Sequence, residues 1–178
     1  MFLRNSYLDK HASVGAKPLS MRGQQPDILR LFEDILHDGS SLRVRVTGRS
    51  MSPFLRGGEV LIIRQEPRPS LCMGDLILFR NKHDFPILHR IIRKRKADDG
   101  TLCFLTKGDA LMAFDEEIHG DSVLGKVLRI ERPAQFGKTT HIDMDSLLYK
   151  SMNFLNALLG YFKNRTYFFL SRVLTKRT

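Results

Sequence analysis

Cysteine is scarce in this sequence, which has only two such residues among 178. Cys72 and Cys103 lie in different segments, without the close pairing of cysteines and histidines that zinc sites use. The count argues against a disulfide framework, and the spacing predicts neither a metal nor a cofactor. Two free thiols are typical of a reducing compartment.

Long apolar runs are missing as well. No stretch approaches the roughly 18 to 20 continuous apolar residues that a membrane-spanning helix needs. The N-terminus carries Arg4, Asp9, Lys10 and Lys17 in place of the apolar core of a signal peptide. We therefore expect a cytoplasmic or peripheral membrane protein.

Acidic residues are outnumbered, with 19 Asp and Glu against 29 Lys and Arg, and the net charge is +10. From Ser146 to Thr178 the chain has six basic residues and no acidic one. Such a distribution attracts polyanions, either nucleic acid or anionic lipid headgroups. The charge alone does not choose between these two partners.

The length and the 42% hydrophobic content fit one domain with appendages. Residues 1–23 have no periodicity and predict a flexible N-terminal arm. Residues 24–133 form the predicted domain. Residues 134–178 are predicted to be a linker and a basic amphipathic C-terminal helical region.

Hydrophobic periodicity predicts a mainly β fold. Residues 26–37 repeat at helical spacing and predict a short amphipathic helix. Residues 42–46 alternate apolar and polar side chains, which is typical of a half-buried strand. Further strands are predicted at residues 60–64, 75–80, 87–93, 101–106 and 123–130. Many short strands at close spacing indicate a small, antiparallel, partly open barrel-like sheet.

The C-terminal region has its own pattern, with apolar side chains at helical spacing and basic residues between them. These apolar residues are Leu148, Met152, Leu155, Leu159 and Phe162. A basic helix of this kind is typical of a membrane interface. A helix packed on the domain or on a second copy of the chain fits equally well.

Two side chains suggest catalysis. Ser50 follows a predicted strand on a tight turn between Gly48 and Pro53, where a serine oxygen can be presented to a substrate. His89 lies on a predicted strand, on the face of Ile87 and Ile91, and the same alternation turns Arg90 outward. Without further information, Ser50 fits an ordinary turn residue and His89 an ordinary core residue.

Two carboxylates follow the strand at residues 101–106. Asp109 belongs to the segment Thr106-Lys107-Gly108-Asp109-Ala110, and Asp115 lies six residues further on. A carboxylate beside a histidine can fix its tautomer and stabilise its protonated form. Carboxylates in a loop also commonly cap turns.

The order of several motifs resembles the signal peptidase family. These motifs are Gly48-Arg49-Ser50-Met51-Ser52-Pro53, Gly74-Asp75, His89-Arg90-Ile91, Thr106-Lys107-Gly108-Asp109 with Asp115, and Gly125-Lys126-Val127. The resemblance covers about residues 44–130. It is strongest to the branch that uses histidine, found in archaea and the endoplasmic reticulum, where the bacterial branch has lysine.

This resemblance implies a β-rich serine endopeptidase without a cofactor. Ser50 would be the nucleophile, His89 the general base, and Asp109 and Asp115 the supporting acidic pair, with Asp115 as the direct partner of His89. Met51 and Pro53 are the expected substrate contacts. The substrate, a signal or leader peptide of a preprotein, would lie as an extended strand along a sheet edge, with small side chains near the cut.

The sequence departs from the family pattern in three places. Glu59 stands where the family usually has Asp, and Ala110 where the histidine branch commonly has Asn. From the sequence we also expect no counterpart of the family's N-terminal membrane anchor. We therefore expect peripheral contact with an anionic membrane through the C-terminal helix, or a partner protein that tethers the chain to the membrane.

Two other functions remain as alternatives. One is a non-catalytic module that binds peptides or membranes on the same fold, although such a module has no need of Ser50, His89, Asp109 and Asp115 together. The other is a self-cleaving repressor-type peptidase with a Ser/Lys pair and a DNA-binding domain. A helix-turn-helix needs two helices, and only one short N-terminal helix is predicted, so no specific nucleic acid is expected.

Overall fold

The first helix packs its apolar side chains under a sheet. The computed structural model describes residues 3–5, 25–133 and 138–175. Helix α1 spans Gln25–His37. Its Leu29, Phe32 and Leu36 recur every three or four residues and are buried in the main core.

The described residues form nine strands, all paired antiparallel. The strands are β1 (Leu3–Asn5), β2 (Leu42–Val46), β3 (Val60–Arg64), β4 (Leu76–Arg80), β5 (Pro86–Lys96), β6 (Leu102–Lys107), β7 (Ile118–His119), β8 (Val123–Pro133) and β9 (Thr139–Asp143). Helix α2 (Leu147–Thr175) follows the last strand.

The strands form one open sheet in the order β1-β2-β3-β8-β4-β5-β6-β7. Strand β8 joins the two halves of this order: it pairs with β4 through its first half and with β3 and β9 further on. Among the described strands, β1 and β7 end the sheet and do not pair with each other. The prediction of a mainly β, antiparallel and partly open fold with a helix near each end is confirmed.

Several boundaries differ from those predicted. Strand β1 lies within the predicted N-terminal arm and pairs with β2, whereas residues 6–23 lie outside the described part. Strand β9 lies within the predicted linker and pairs with β8. Strands β1 and β7 have only three and two residues, and β9 buries only Ile142, so none of them shows a period-2 pattern of apolar side chains.

The sheet has two apolar clusters. The larger one joins α1 to β2, β3, β8 and β9, and the smaller one lies around β4, β5 and β6. Both faces of β5 are therefore covered, with Leu88 in the larger cluster and Ile91 in the smaller one. As a result the middle of β5, including His89 and Arg90, is buried.

Candidate active site

Ser50 lies on a turn that begins four residues after the end of β2. The fully buried side chains of Met51 and Leu55 anchor the turn, and the Leu55 N–H donates to the Met51 carbonyl at 2.8 Å. The Ala110 N–H donates to the Ser50 carbonyl at 2.9 Å. The serine side chain is half-buried. The buried Met51 and Leu55 and the hydrogen bond from Ala110 together fix its position.

His89 reaches this serine from β5. The imidazole is almost fully buried, with 4% of the side chain exposed. Its Nε2 lies 3.2 Å from Ser50 Oγ, and its Nδ1 lies 2.6 Å from Asp115 Oδ2. The structure thus brings Ser50, His89 and Asp115 into one line of contacts, although they are 65 positions apart at the extremes of the sequence.

Asp115 is oriented by Thr106, a residue to which the sequence pattern assigned no role. The Thr106 hydroxyl donates to Asp115 Oδ2 at 2.7 Å, and the Asp115 N–H donates to the Thr106 carbonyl at 2.9 Å. Thr106 is fully buried at the end of β6. The only sequence signal for this contact is the position of Thr106, at the end of a predicted strand in the motif that precedes Asp115.

Gly108 leaves the space that the imidazole occupies. A Cβ at this position would lie 2.9 Å from His89 Nε2 and 2.7 Å from the Ser50 carbonyl oxygen. Both distances are shorter than side-chain carbon atoms tolerate. The glycine of the Thr106–Asp109 motif is therefore explained by the close approach of Ser50 and His89.

Asp109 does not contact His89. Its two carboxylate oxygens accept bonds from Arg90 Nε at 2.8 Å and Arg90 Nη2 at 2.7 Å. Arg90 also donates from Nη1 to the Gly74 carbonyl at 2.9 Å and to Asn153 Oδ1 at 2.8 Å. The prediction that Arg90 points outward is wrong: its side chain is fully buried, because α2 covers that face of β5.

Of the two expected substrate contacts, only one side chain is accessible. Pro53 is exposed on the Ser50 turn. Met51 is fully buried in the main core, so its side chain cannot touch a peptide. An apolar residue beside a turn serine anchors the turn as readily as it binds substrate, and the sequence pattern does not distinguish the two.

The motifs Gly74-Asp75 and Gly125-Lys126-Val127 support the structure around the site. Lys126 Nζ lies 2.9 Å from Asp145 Oδ1 and 3.1 Å from Asp75 Oδ1. Burial lowers the pKa of Lys126, but the hydrogen bonds and charges of the two aspartates outweigh it and raise the pKa above its ordinary value. This cluster connects the starts of β4 and α2 to β8.

Comparison with known proteins relates part of the chain to catalytic subunits of signal peptidase complexes. The human subunit SEC11C is 33% identical over 76 residues, which are 42% of this chain and 40% of that subunit. The SEC11 subunit of Leptosphaeria maculans is 32% identical over 89 residues, which are 49% of this chain and 51% of the relative. The sec11 subunit of Pyrenophora tritici-repentis is 30% identical over 95 residues, 52% and 54% of the two chains.

The chain thus spans about half the length of the curated relatives it matches. These relatives confirm the resemblance to the signal peptidase family that the motifs indicated. No family model matches the sequence. Within the described residues, no helix combines the length and the apolar character needed to cross a bilayer.

Proposed function

On the similarity of this chain to signal peptidase catalytic subunits, we propose that it is a serine endopeptidase that cleaves signal or leader peptides. Ser50 is the nucleophile, His89 the general base, and Asp115 the carboxylate that holds the imidazole. The observation that supports this proposal is the line of contacts from Ser50 Oγ to His89 Nε2 at 3.2 Å and from His89 Nδ1 to Asp115 at 2.6 Å.

In the first step Ser50 Oγ attacks the carbonyl carbon of the scissile peptide bond. His89 Nε2 takes the hydroxyl proton as the new C–O bond forms, and Asp115 stabilises the resulting imidazolium through Nδ1–H. The protonated Nε2 then gives its proton to the leaving amide nitrogen, which breaks the C–N bond and leaves an acyl group on Ser50. Histidine suits this exchange because it gains and loses a proton near neutral pH.

In the second step water releases the acyl group. His89 takes a proton from the attacking water and returns it to Ser50 Oγ as the ester breaks. Burial of the imidazole strengthens its electrostatic coupling to Asp115, since charges interact more strongly away from water. Backbone N–H groups at the turn, including that of Ser50, are the proposed donors to the developing oxyanion.

Asp109 has a separate role in this proposal. It neutralises the buried guanidinium of Arg90, the neighbour of His89 on β5, and so maintains the strand that presents the imidazole. Pro53 remains the proposed side-chain contact for the substrate. The substrate itself is proposed to be an extended peptide with small side chains near the cut.

The relatives are named as subunits of a complex, and we propose that this chain also works beside a partner that presents preproteins or tethers it to a membrane. A second subunit would bring substrate and site together at a bilayer surface. Co-purification of a membrane protein with the tagged chain would be the first sign of such a partner.

The test is cleavage of a leader-type peptide library, read by mass spectrometry, with wild type beside the Ser50→Ala and His89→Ala variants. The matched control is Ser52→Ala, a serine on the same turn whose backbone N–H bonds to the Arg49 carbonyl. We expect cleavage by wild type and the control and losses of about 10³-fold or more in the other two.

Cleavage that survives in Ser50→Ala would contradict the proposed nucleophile. Absence of cleavage by folded wild type, with anionic vesicles present, would favour the non-catalytic binding module.

A further inference from the structure

A cavity of about 390 Å³ lies between the segment after Ser50, strand β6 and helix α2. Its apolar wall includes Phe54, Ile92 and Leu159. Four charged side chains also line it: Arg56, Lys107, Asp109 and Lys163. Pro53, the proposed substrate contact, lies at its edge, but the chemistry proposed for Ser50 and His89 does not use the lysines of this cavity.

Lys107 is the most unusual of these groups. Only 2% of the residue is exposed, and its Nζ lies 3.6 Å from the position that a Cβ on Gly160 would take. Within residues 25–133 and 138–163, no acceptor forms a hydrogen bond or ion pair with this ammonium. Desolvation lowers the pKa of Lys107 against the opposing charge of Asp109, and Lys163 lowers it further against a smaller opposing effect of Asp115.

The charges around the cavity do not balance. Asp109 is held by two hydrogen bonds from Arg90 and is neutralised by that guanidinium. Arg56, Lys107 and Lys163 therefore leave a net positive charge at a partly enclosed site. The ammonium of Lys107 lines the cavity and is partly desolvated, and an anion that enters the cavity would offset this desolvation.

The cavity opens beside an apolar stripe on α2. The stripe consists of five side chains at helical spacing, each between 42% and 67% exposed: Leu148, Met152, Leu155, Leu159 and Phe162. The opposite face of the helix carries the buried Asn153 and Ala157. Leu159 belongs both to the stripe and to the cavity wall, so an apolar surface and a cationic pocket are continuous.

We propose that the cavity binds the phosphate group of an anionic phospholipid, with Lys107, Lys163 and Arg56 as its cations and the stripe against the acyl chains. A phospholipid carries both required features on one molecule, a phosphate next to hydrocarbon. The absence of acidic residues from Ser146 to Thr178 adds long-range attraction to an anionic surface. This site does not depend on the proposed peptidase activity, and its test does not measure cleavage.

The test is co-sedimentation of the full chain with vesicles of phosphatidylcholine containing phosphatidylglycerol. The variant is Lys107→Met, which keeps the length of the side chain and removes its charge. The control is Lys96→Met, which removes the same charge from an exposed position at the end of β5. We expect about a tenfold or greater loss of vesicle affinity in Lys107→Met and less than about fivefold in the control.

Two further arms identify the source of the phosphate and exclude unfolding. Thermal unfolding of Lys107→Met should occur at a higher temperature than that of wild type, because the variant no longer desolvates a charge on folding. Inorganic phosphate that raises the unfolding temperature of wild type but not of the variant, without vesicle binding, would support the phosphate site and assign it to free phosphate. Equal vesicle affinities of the folded Lys107→Met and Lys96→Met proteins, with no response to phosphate, would overturn the proposal.

Discussion

At the scale of single residues, the two aspartates that follow β6 have different partners. Asp115 contacts His89 and Thr106, whereas Asp109 contacts Arg90. The first carboxylate lies beside an imidazole that is proposed to change its charge during turnover. The second compensates a guanidinium that stays charged and fully buried.

Replacing each aspartate by asparagine should therefore affect different properties, activity for Asp115 and stability for Asp109. Asp115→Asn should lower kcat by about 10²-fold or more, since it removes the charge that stabilises the imidazolium, with little change in unfolding temperature. Asp109→Asn should cost about 3 kcal/mol of stability, because Arg90 remains buried without a counter-charge. Steady-state kinetics on a cleaved peptide and denaturant unfolding measure the two effects. Equal effects of both changes on both measurements would contradict this division.

The residues of the site are predictable from the sequence only through ordered motifs. Ser50, His89 and Asp115 were identified in that way, and the structure brings these three together. The burial of Arg90 was missed, because strand alternation assumes that one face of β5 is open to water. The flanking Leu88 and Ile92 are the sequence signal for a second covered face.

At the scale of elements, helix α2 is attached to the sheet beside His89. Gly74, which precedes β4, has a φ of +98°, and a Cβ there would lie 2.8 Å from the backbone of Asn153 in α2. The Asn153 side chain accepts a hydrogen bond from the guanidinium of Arg90. The docking of α2 therefore depends on a glycine and a buried polar contact, and its apolar stripe is left outside.

This attachment can be tested with two glycines of nearly equal φ. Gly74→Ala and Gly57→Ala each place an alanine at a positive φ, +98° and +97°, but nothing lies within 4 Å of a Cβ at Gly57. We expect Gly74→Ala to lower stability by about 2 kcal/mol more than Gly57→Ala. Denaturant unfolding measures both. Similar losses of stability in the two variants would show that the close packing of α2 on Gly74 does not contribute to the effect of Gly74→Ala.

The elements themselves were largely predictable. The helix at residues 26–37 and strand β2 follow from periodicity, because each buries one face, whereas the other central strands follow from apolar runs bounded by turn residues. For α2, packing on the domain was one of the alternatives left open, but its contact face was not predictable, since that face consists of small and polar residues such as Asn153, Ala157 and Gly160. Apolar periodicity indicates the other face of this helix, the exposed stripe.

At the scale of the whole molecule, the start of α2 is connected to β4 and β8 through the charges of Lys126, Asp75 and Asp145. Burial raises the pKa of Asp145, but hydrogen bonds and charges from Lys126 and Lys150 outweigh it and lower the pKa below the ordinary 3.8. A carboxylate with a lowered folded-state pKa stabilises the fold above its ordinary pKa. That stabilisation is lost as the pH falls through the lowered value.

The contribution of Asp145 should therefore disappear in acid. At pH 6 the Asp145→Asn variant should unfold at a lower temperature than wild type, and the difference should shrink as the pH falls below 3.8. Thermal unfolding of both proteins across this range by circular dichroism measures the difference. A gap that stays constant in acid would mean that the charge of Asp145 does not contribute to stability.

The central claim is that Ser50 is a nucleophile activated by His89, and a trapped acyl-enzyme tests it most directly. Wild type and His89→Ala are mixed with a cleavable peptide, quenched in acid within one turnover, digested and mapped by mass spectrometry. The account predicts an adduct with the mass of the N-terminal half of the substrate on the peptide that contains Ser50, present in wild type and absent from His89→Ala. An adduct on another residue, or an equal Ser50 adduct without His89, would contradict it.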